Sequence, residues 1–133
     1  MRYLLDTSIL SQAAKHPQGI VARKIKRLGN AQCCTSVIVA CEMAFGAEKR
    51  QSTKLSKRIT QAIAAVTILD LPAGVQLHYA RIRARLEALG LVIGSNDMLI
   101  AAHAIHANLT LVSDNVKEFE RVPGLKLENW LRE

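Results

Sequence analysis

Short apolar runs alternate along the chain with longer stretches in which apolar residues recur every three or four positions. The runs fall at 3–5 (YLL), 33–35 (CCT), 66–71 (VTILDL) and 109–112 (LTLV), with a weaker one at 125–127 (LKL). Most lack polar alternation, so they predict short strands of a parallel sheet covered on both faces. Helical spacing covers 8–15, 19–28, 37–50, 54–65, 74–89 and 96–107. Pro17 stops the first of these helices, and Gly29 with Asn30 ends the second. Ser36 is placed to cap the third, while Gly90 and Asn108 close the fifth and sixth. Strands alternating with helices predict an α/β fold. No repeat, linker or low-complexity segment interrupts residues 1–133, which are expected to form a single domain.

Composition sharpens this picture in three respects. With 133 residues, the chain is long enough to bury a core without disulfides. Half of the residues are apolar but only 4% are aromatic, so Leu, Ile, Val and Ala must fill that core, which suits helices packed on a sheet. Cys33, Cys34 and Cys41 are odd in number and lack CxxC spacing; they read as buried thiols of a reducing cytoplasm. No leader-like segment and no apolar run of about 20 residues is present, so a soluble, cytoplasmic protein without a membrane segment is expected.

A net charge of +7 then favours a polyanionic partner such as nucleic acid. The stretch KRQSTKLSKR, residues 49–58, holds five cations and no acid, and Arg81, Arg83 and Arg85 follow. Lys49, Arg50 and Arg85 are candidate contacts to nucleic-acid phosphates.

The informative acids are those with apolar neighbours. Asp6 follows the first strand, Glu42 lies within VIVACEMAF, Asp97 within GSNDMLIAAHAI, and Asp114 follows the strand at 109–112 in Ser113-Asp114-Asn115. In an open parallel sheet such positions converge on the carboxyl edge, where ligands bind. Crowded carboxylates must take up protons or share a cation. A hard divalent ion with oxygen ligands, Mg²⁺ or Mn²⁺, fits better than zinc, because neither Cys nor His accompanies the cluster. Singly, Asp6 reads as a cap, Asp97 as a helix-dipole partner and Asp114 as a turn residue; the joint pattern is more specific than any member. His103 and His106 read as ordinary helix positions, because no further ligands complete a tetrahedral site. Neither a phosphate loop nor a nucleophile elbow is present.

The segments LLDTS, CEMAFG, IGSNDMLIAAHA and LVSDNVKEFERVPGLKLENW together resemble the four signature blocks of PIN-domain ribonucleases, in particular the VapC toxins of prokaryotic toxin–antitoxin pairs. The resemblance implies a three-layer α/β/α sandwich around a short, mostly parallel sheet. It also implies a Mg²⁺- or Mn²⁺-dependent endoribonuclease acting on a structured RNA such as tRNA and leaving a 5′-phosphate and a 3′-hydroxyl. A cognate antitoxin and a homodimer, able to join a higher toxin–antitoxin complex, are implied as partners. Family carboxylates carry over to Asp6, Glu42 and Asp97, with Asp6 and Asp97 as metal ligands. A fourth family acid falls at Asn115 here, with Asp114 one residue early, so the resemblance leaves Asp114, Asn115 or neither to reach a metal; Asp114 is the acid among them and the candidate catalytic residue. Ser8 stands where the family usually has Asn, and Thr7 and Ser8 are expected to hold Asp6 in place. The competing expectation is a catalytically impaired module that only binds RNA or protein; three acids kept in apolar settings argue against it.

Overall fold

The computed structural model describes residues 1–131. Its strands are β1 (Tyr3–Leu5), β2 (Cys33–Ser36), β3 (Thr67–Leu69), β4 (Thr110–Val112) and β5 (Leu127–Glu128). Between them lie α1 (Thr7–Lys15), α2 (Ile20–Leu28), α3 (Val37–Arg50), α4 (Thr53–Ala64), α5 (Val75–Leu89), α6 (Ser95–His106) and α7 (Val116–Phe119). All strand pairs are parallel, in the order β3, β2, β1, β4, β5.

That order fixes the layers. From β1 through β2 to β3 the chain steps in one direction, and right-handed crossovers set α1 to α4 on one face. From β3 it returns past β1 to β4, so α5 and α6 cover the other face. The resulting sandwich is the one expected from the sequence. Strand order reverses at β1 and β4, whose register is Tyr3 with Thr110, Leu4 with Leu111 and Leu5 with Val112. A crevice beyond the carboxyl ends of these two strands is the favoured ligand position in such a sheet.

The core is mainly aliphatic, as the composition requires. Leu4, Leu5, Ile9, Leu10, Leu86, Ile100 and Leu111 are fully buried around the central strands. The sheet's own polar groups are also satisfied: Thr35 donates its hydroxyl to the carbonyl of Leu5 at 2.7 Å, tying the ends of β1 and β2. Gly74 stands at φ 105, and a Cβ there would lie 2.8 Å from the His106 ring, so only glycine lets α5 begin against the end of α6. Trp130 closes the C-terminal side: its ring meets Tyr3 edge-on at 5.1 Å, and Lys24 lies 4.5 Å above it.

Three details differ from the sequence reading. Cys41 is exposed, because α3 presents it on the side facing away from the sheet, whereas Cys33 and Cys34 are buried on β2 as expected. Burial pushes the Cys34 thiol up to about 12, which keeps it protonated and unreactive. The strands at 66–71 and 125–127 shrink or shift to Thr67–Leu69 and Leu127–Glu128. The short helix α7, absent from the expected elements, is anchored by the fully buried Phe119.

A four-residue helix has little intrinsic stability, so that anchor must hold it. Phe119→Ala is expected to cost about 3–5 kcal/mol. Urea unfolding followed by circular dichroism measures this, and a cost below about 1 kcal/mol would contradict the anchoring role.

Candidate active site

Asp6 is the residue immediately after β1. Its backbone N–H donates to the carbonyl of Val112 at 2.9 Å, so sheet pairing with β4 fixes its Cα. The side chain caps nothing at the start of α1; instead it accepts a short hydrogen bond, 2.6 Å, from the hydroxyl of Ser113, the residue after β4. The first acid is thus locked by the neighbouring strand. Thr7 gives its backbone N–H to the Asp6 carboxylate as expected, while its hydroxyl donates to Glu42 at 2.9 Å; Ser8 instead accepts the backbone N–H of Asp114 at 3.0 Å.

Glu42 lies half-buried on α3, whose N-terminus is capped by Ser36 accepting from Ile38. Asp97 lies in the first turn of α6, where a helix N-terminus favours negative charge. A buried contact fastens these two helices: His103 Nδ1 on α6 and the Ser36 hydroxyl at the head of α3 are 2.9 Å apart. Because that hydroxyl oxygen already accepts at the cap, its proton is free to be donated to the imidazole. Burial, with the nearby His106, lowers the His103 pKa and keeps the ring neutral for this role.

The pattern of acid shifts shows which carboxylates lie together. Asp97 is pushed up to about 6, first by burial, then by the charges of Asp6, Glu118 and Glu42, and finally by a side-chain hydrogen bond with Glu118. Asp6 is also raised: burial dominates, the Ser113 and Thr7 hydrogen bonds oppose it, and the charge of Glu42 adds to it. Asp97 therefore lies within electrostatic reach of Asp6, Glu42 and Glu118. Asn115, at the N-terminus of α7, donates its side-chain amide to Glu118 at 3.1 Å. Asp114 accepts the side-chain amide of Asn129 at 2.9 Å, which ties the loop after β4 to the segment after β5.

This donor set suits a hard divalent cation. The carboxylates supply only oxygen, and their mutual repulsion is the unbalanced charge such an ion would neutralise. Among the described residues no three acid, His or Cys side chains are already drawn closely enough together to hold an ion. That openness is compatible with magnesium, which keeps several waters and needs only one or two direct carboxylates.

Comparison with known proteins fits this geometry. Residues 3–125 match the PIN domain family. The chain belongs to the PIN-domain family. Ribonuclease VapC2 of Rickettsia felis is 39% identical over 98% of each chain. The tRNA(fMet)-specific endonuclease VapC of Shigella flexneri is 32% identical over 98% of each. Among solved structures, VapBC2 of Rickettsia felis bound to a fragment of its promoter DNA superposes with a TM-score of 0.88 at 35% identity, covering 98% of this chain and 99% of that one. VapBC of Salmonella typhimurium, also DNA-bound, gives 0.86 at 29% identity, covering 98% of each chain.

Within this PIN domain, Asp97 lies within electrostatic reach of Asp6 and Glu42. Glu118 was missed in the sequence, where it lies among the polar residues of NVKEFE. The available signal was its place one residue before Phe119, the apolar residue that anchors α7. The candidate RNA contacts separate. Arg50 lines a cavity shared with Glu42 and Thr7, and Lys49 points over the Phe45 ring at 6.0 Å. Arg85 lies in a shallow depression with His78, Arg81 and Ile105. Ile105 is eight residues beyond Asp97 along α6, about 12 Å of helix, so Arg85 faces a different region.

The raised Asp97 pKa sets a direction for stability in the metal-free protein. Between the ordinary carboxylate range near 4 and about 6, the unfolded chain releases a proton that the folded chain retains, so stability falls as pH rises through this window. Asp97→Asn should flatten that fall and raise the melting temperature above pH 6 in the presence of EDTA. Thermal unfolding at several pH values tests this; a wild-type melting temperature that climbed between pH 4 and 6 while the variant showed no gain would contradict it.

Proposed function

We propose that this chain is a Mg²⁺-dependent endoribonuclease, with Mn²⁺ able to substitute, acting as the toxin of a toxin–antitoxin pair. The observation that carries the reading is the coupled acid cluster at the point where strand order reverses, in a chain whose relatives are named ribonucleases and endonucleases. A structured RNA such as tRNA is the proposed substrate, in line with the name of the Shigella flexneri relative. A cognate antitoxin and a second copy of the chain are the proposed partners. The exposed Phe45 and Cys41 on α3 offer an apolar surface for one of them.

A bound divalent cation would supply positive charge against the reacting phosphate and acidify the attacking water. The chain's own residues do the rest. Ser113 holds Asp6 in one orientation, and its remaining oxygen lone pairs would be available to the ion. Thr7 fixes Glu42, and Asn115 fixes Glu118 as the fourth acid, in the role the family pattern gives to position 115. Asp6 and Asp97 would hold the ion, and a carboxylate of the cluster would accept the proton of the attacking water. Asp114 supports the site by holding the loop after β4 through Asn129. Arg50 contacts a phosphate close to the cut, while Lys49 and Arg85 would meet RNA farther away.

The competing reading, an impaired binding module, rested on Asn115 and Ser8 departing from the family pattern. Asn115 orients Glu118, and Ser8 accepts the Asp114 N–H, so both residues have work in an active site. Asp6→Asn and Asp97→Asn are each expected to lower RNA cleavage by at least about 10²-fold, with the fold intact by circular dichroism. Wild-type cleavage should require Mg²⁺ or Mn²⁺ and stop in EDTA. Undiminished metal-dependent cleavage by both variants would refute the assignment.

A further inference from the structure

Beside the acid cluster, the surface opens into a cavity of about 140 Å³ between α1, α3 and α4. Its floor is apolar: Ala14, Met43 and Ile59 are buried there, and Leu55 packs against the same core. Its mouth is polar. Thr7 and Glu42, joined by their 2.9 Å hydrogen bond, form the side shared with the acids, and Ser11 adds a hydroxyl one helical turn along α1. Lys15 and Arg50 complete the rim, and neither is in an ion pair among the described residues. Arg58 brings a third cation to the same seam, donating to the Lys15 carbonyl at 3.5 Å.

An apolar floor, hydroxyls at the mouth and unpaired cations at the rim match one chemical group: a nucleotide, with its flat apolar base and charged phosphate. We propose that this cavity is a nucleotide subsite, which takes an unstacked base of RNA next to the cleaved phosphodiester while Lys15 and Arg50 hold the flanking phosphate. The assignment rests on the ribonuclease reading above and goes beyond it by naming where one base is read. Specific RNA recognition relies on splayed-out bases, commonly stacked on aromatic rings. No aromatic side chain lines this cavity, so insertion against Met43, Leu55 and Ile59 replaces stacking, with the polarizable Met43 thioether adapting to the ring. The volume is below the ~300–1,000 Å³ of sites for drug-sized ligands and admits a single ring-sized group. Ser11 and Thr7 are the hydroxyls within reach of a base edge.

Gly46 provides the test. It lies on α3 at the cavity wall, and a Cβ built there meets nothing within 4 Å. Gly46→Leu therefore fills the cavity and also places a better helix former in a helix interior. In EDTA, where no cleavage occurs, the affinity of Gly46→Leu for a fluorescein-labelled single-stranded RNA should fall about tenfold, the worth of one held base. In Mg²⁺, its kcat/KM for RNA should fall about tenfold more than that for bis(p-nitrophenyl) phosphate, a diester without a base, and base preference beside the cut should flatten on random-sequence RNA. If Gly46→Leu fails to fold, Lys15→Gln decides: the slope of log affinity against log salt should lose about one unit, and an unchanged slope overturns the subsite. A folded Gly46→Leu that binds and cleaves RNA as the wild type does overturns the subsite while the ribonuclease reading stands. Unaltered RNA binding with weakened neutralisation by the co-produced antitoxin also overturns it, assigning the cavity to that protein. Wild-type protein inert towards RNA in Mg²⁺ and Mn²⁺, with binding still lowered in Gly46→Leu, sinks the ribonuclease reading and leaves RNA binding at the cavity.

Discussion

Four carboxylates held within electrostatic reach of one another are the constraint around which this structure is arranged. Left to themselves, Asp6, Glu42, Asp97 and Glu118 would turn apart into solvent, since each raises the energy of its ionised neighbours. Separate restraints oppose that. Pairing of β1 with β4 fixes the backbone of Asp6, and Ser113 fixes its side chain. Thr7 restrains Glu42, Asn115 restrains Glu118, and the Ser36–His103 contact fixes α3 against α6. Each restraint comes from a different part of the chain, so the cluster exists only in the folded state. The upward shifts of Asp6 and Asp97 mark the cost of that arrangement, first of burying the carboxyls and then of their neighbours' charge.

The sheet makes this concentration of charge possible because its strands are short and parallel. A three-residue strand such as β1 delivers Asp6 to the carboxyl edge directly after the buried Tyr3, Leu4 and Leu5. The same edge receives the residue after β4 and the first turn of α6, because reversal of strand order leaves room between the two layers of helices. Burial of the strands and exposure of the edge are therefore one design: the apolar run holds the acid in place, and the end of that run presents it.

Much of this was legible in sequence because it depends on local signals. Apolar runs followed by an acid marked β1 and Asp6, and an acid inside an otherwise apolar helix marked Glu42. What the sequence concealed depends on contacts distant along the chain. Ser113 stood out only as the neighbour of Asp114, yet its partner is Asp6, 107 residues away. His103 read as an ordinary helix position, and its meaning lies in Ser36, 67 residues earlier. Glu118 was hidden for another reason: α7 is only four residues long, too short for periodicity to show. Cys41 misled because it lies on the helix face of the exposed Phe45, not on that of the buried Val39 and Met43.

The cations follow the same logic with opposite sign. Net charge identified a polyanionic partner, but charge is a sum over the molecule and says nothing about where contact occurs. Folding separates the candidates: Arg50 stands beside Glu42, Lys49 one residue earlier points over Phe45, and Arg85 lies on another helix near Ile105. A phosphate at the acid cluster would meet repulsion from the carboxylates and attraction from Arg50 and Lys15 across the cavity mouth. Without a divalent ion, RNA can gain from these cations only by keeping its phosphate to their side of Glu42. With an ion in place, the acids would become an attractive surface and the phosphate could move in. Under the proposed function, cation binding and substrate placement would therefore be coupled by the same charges.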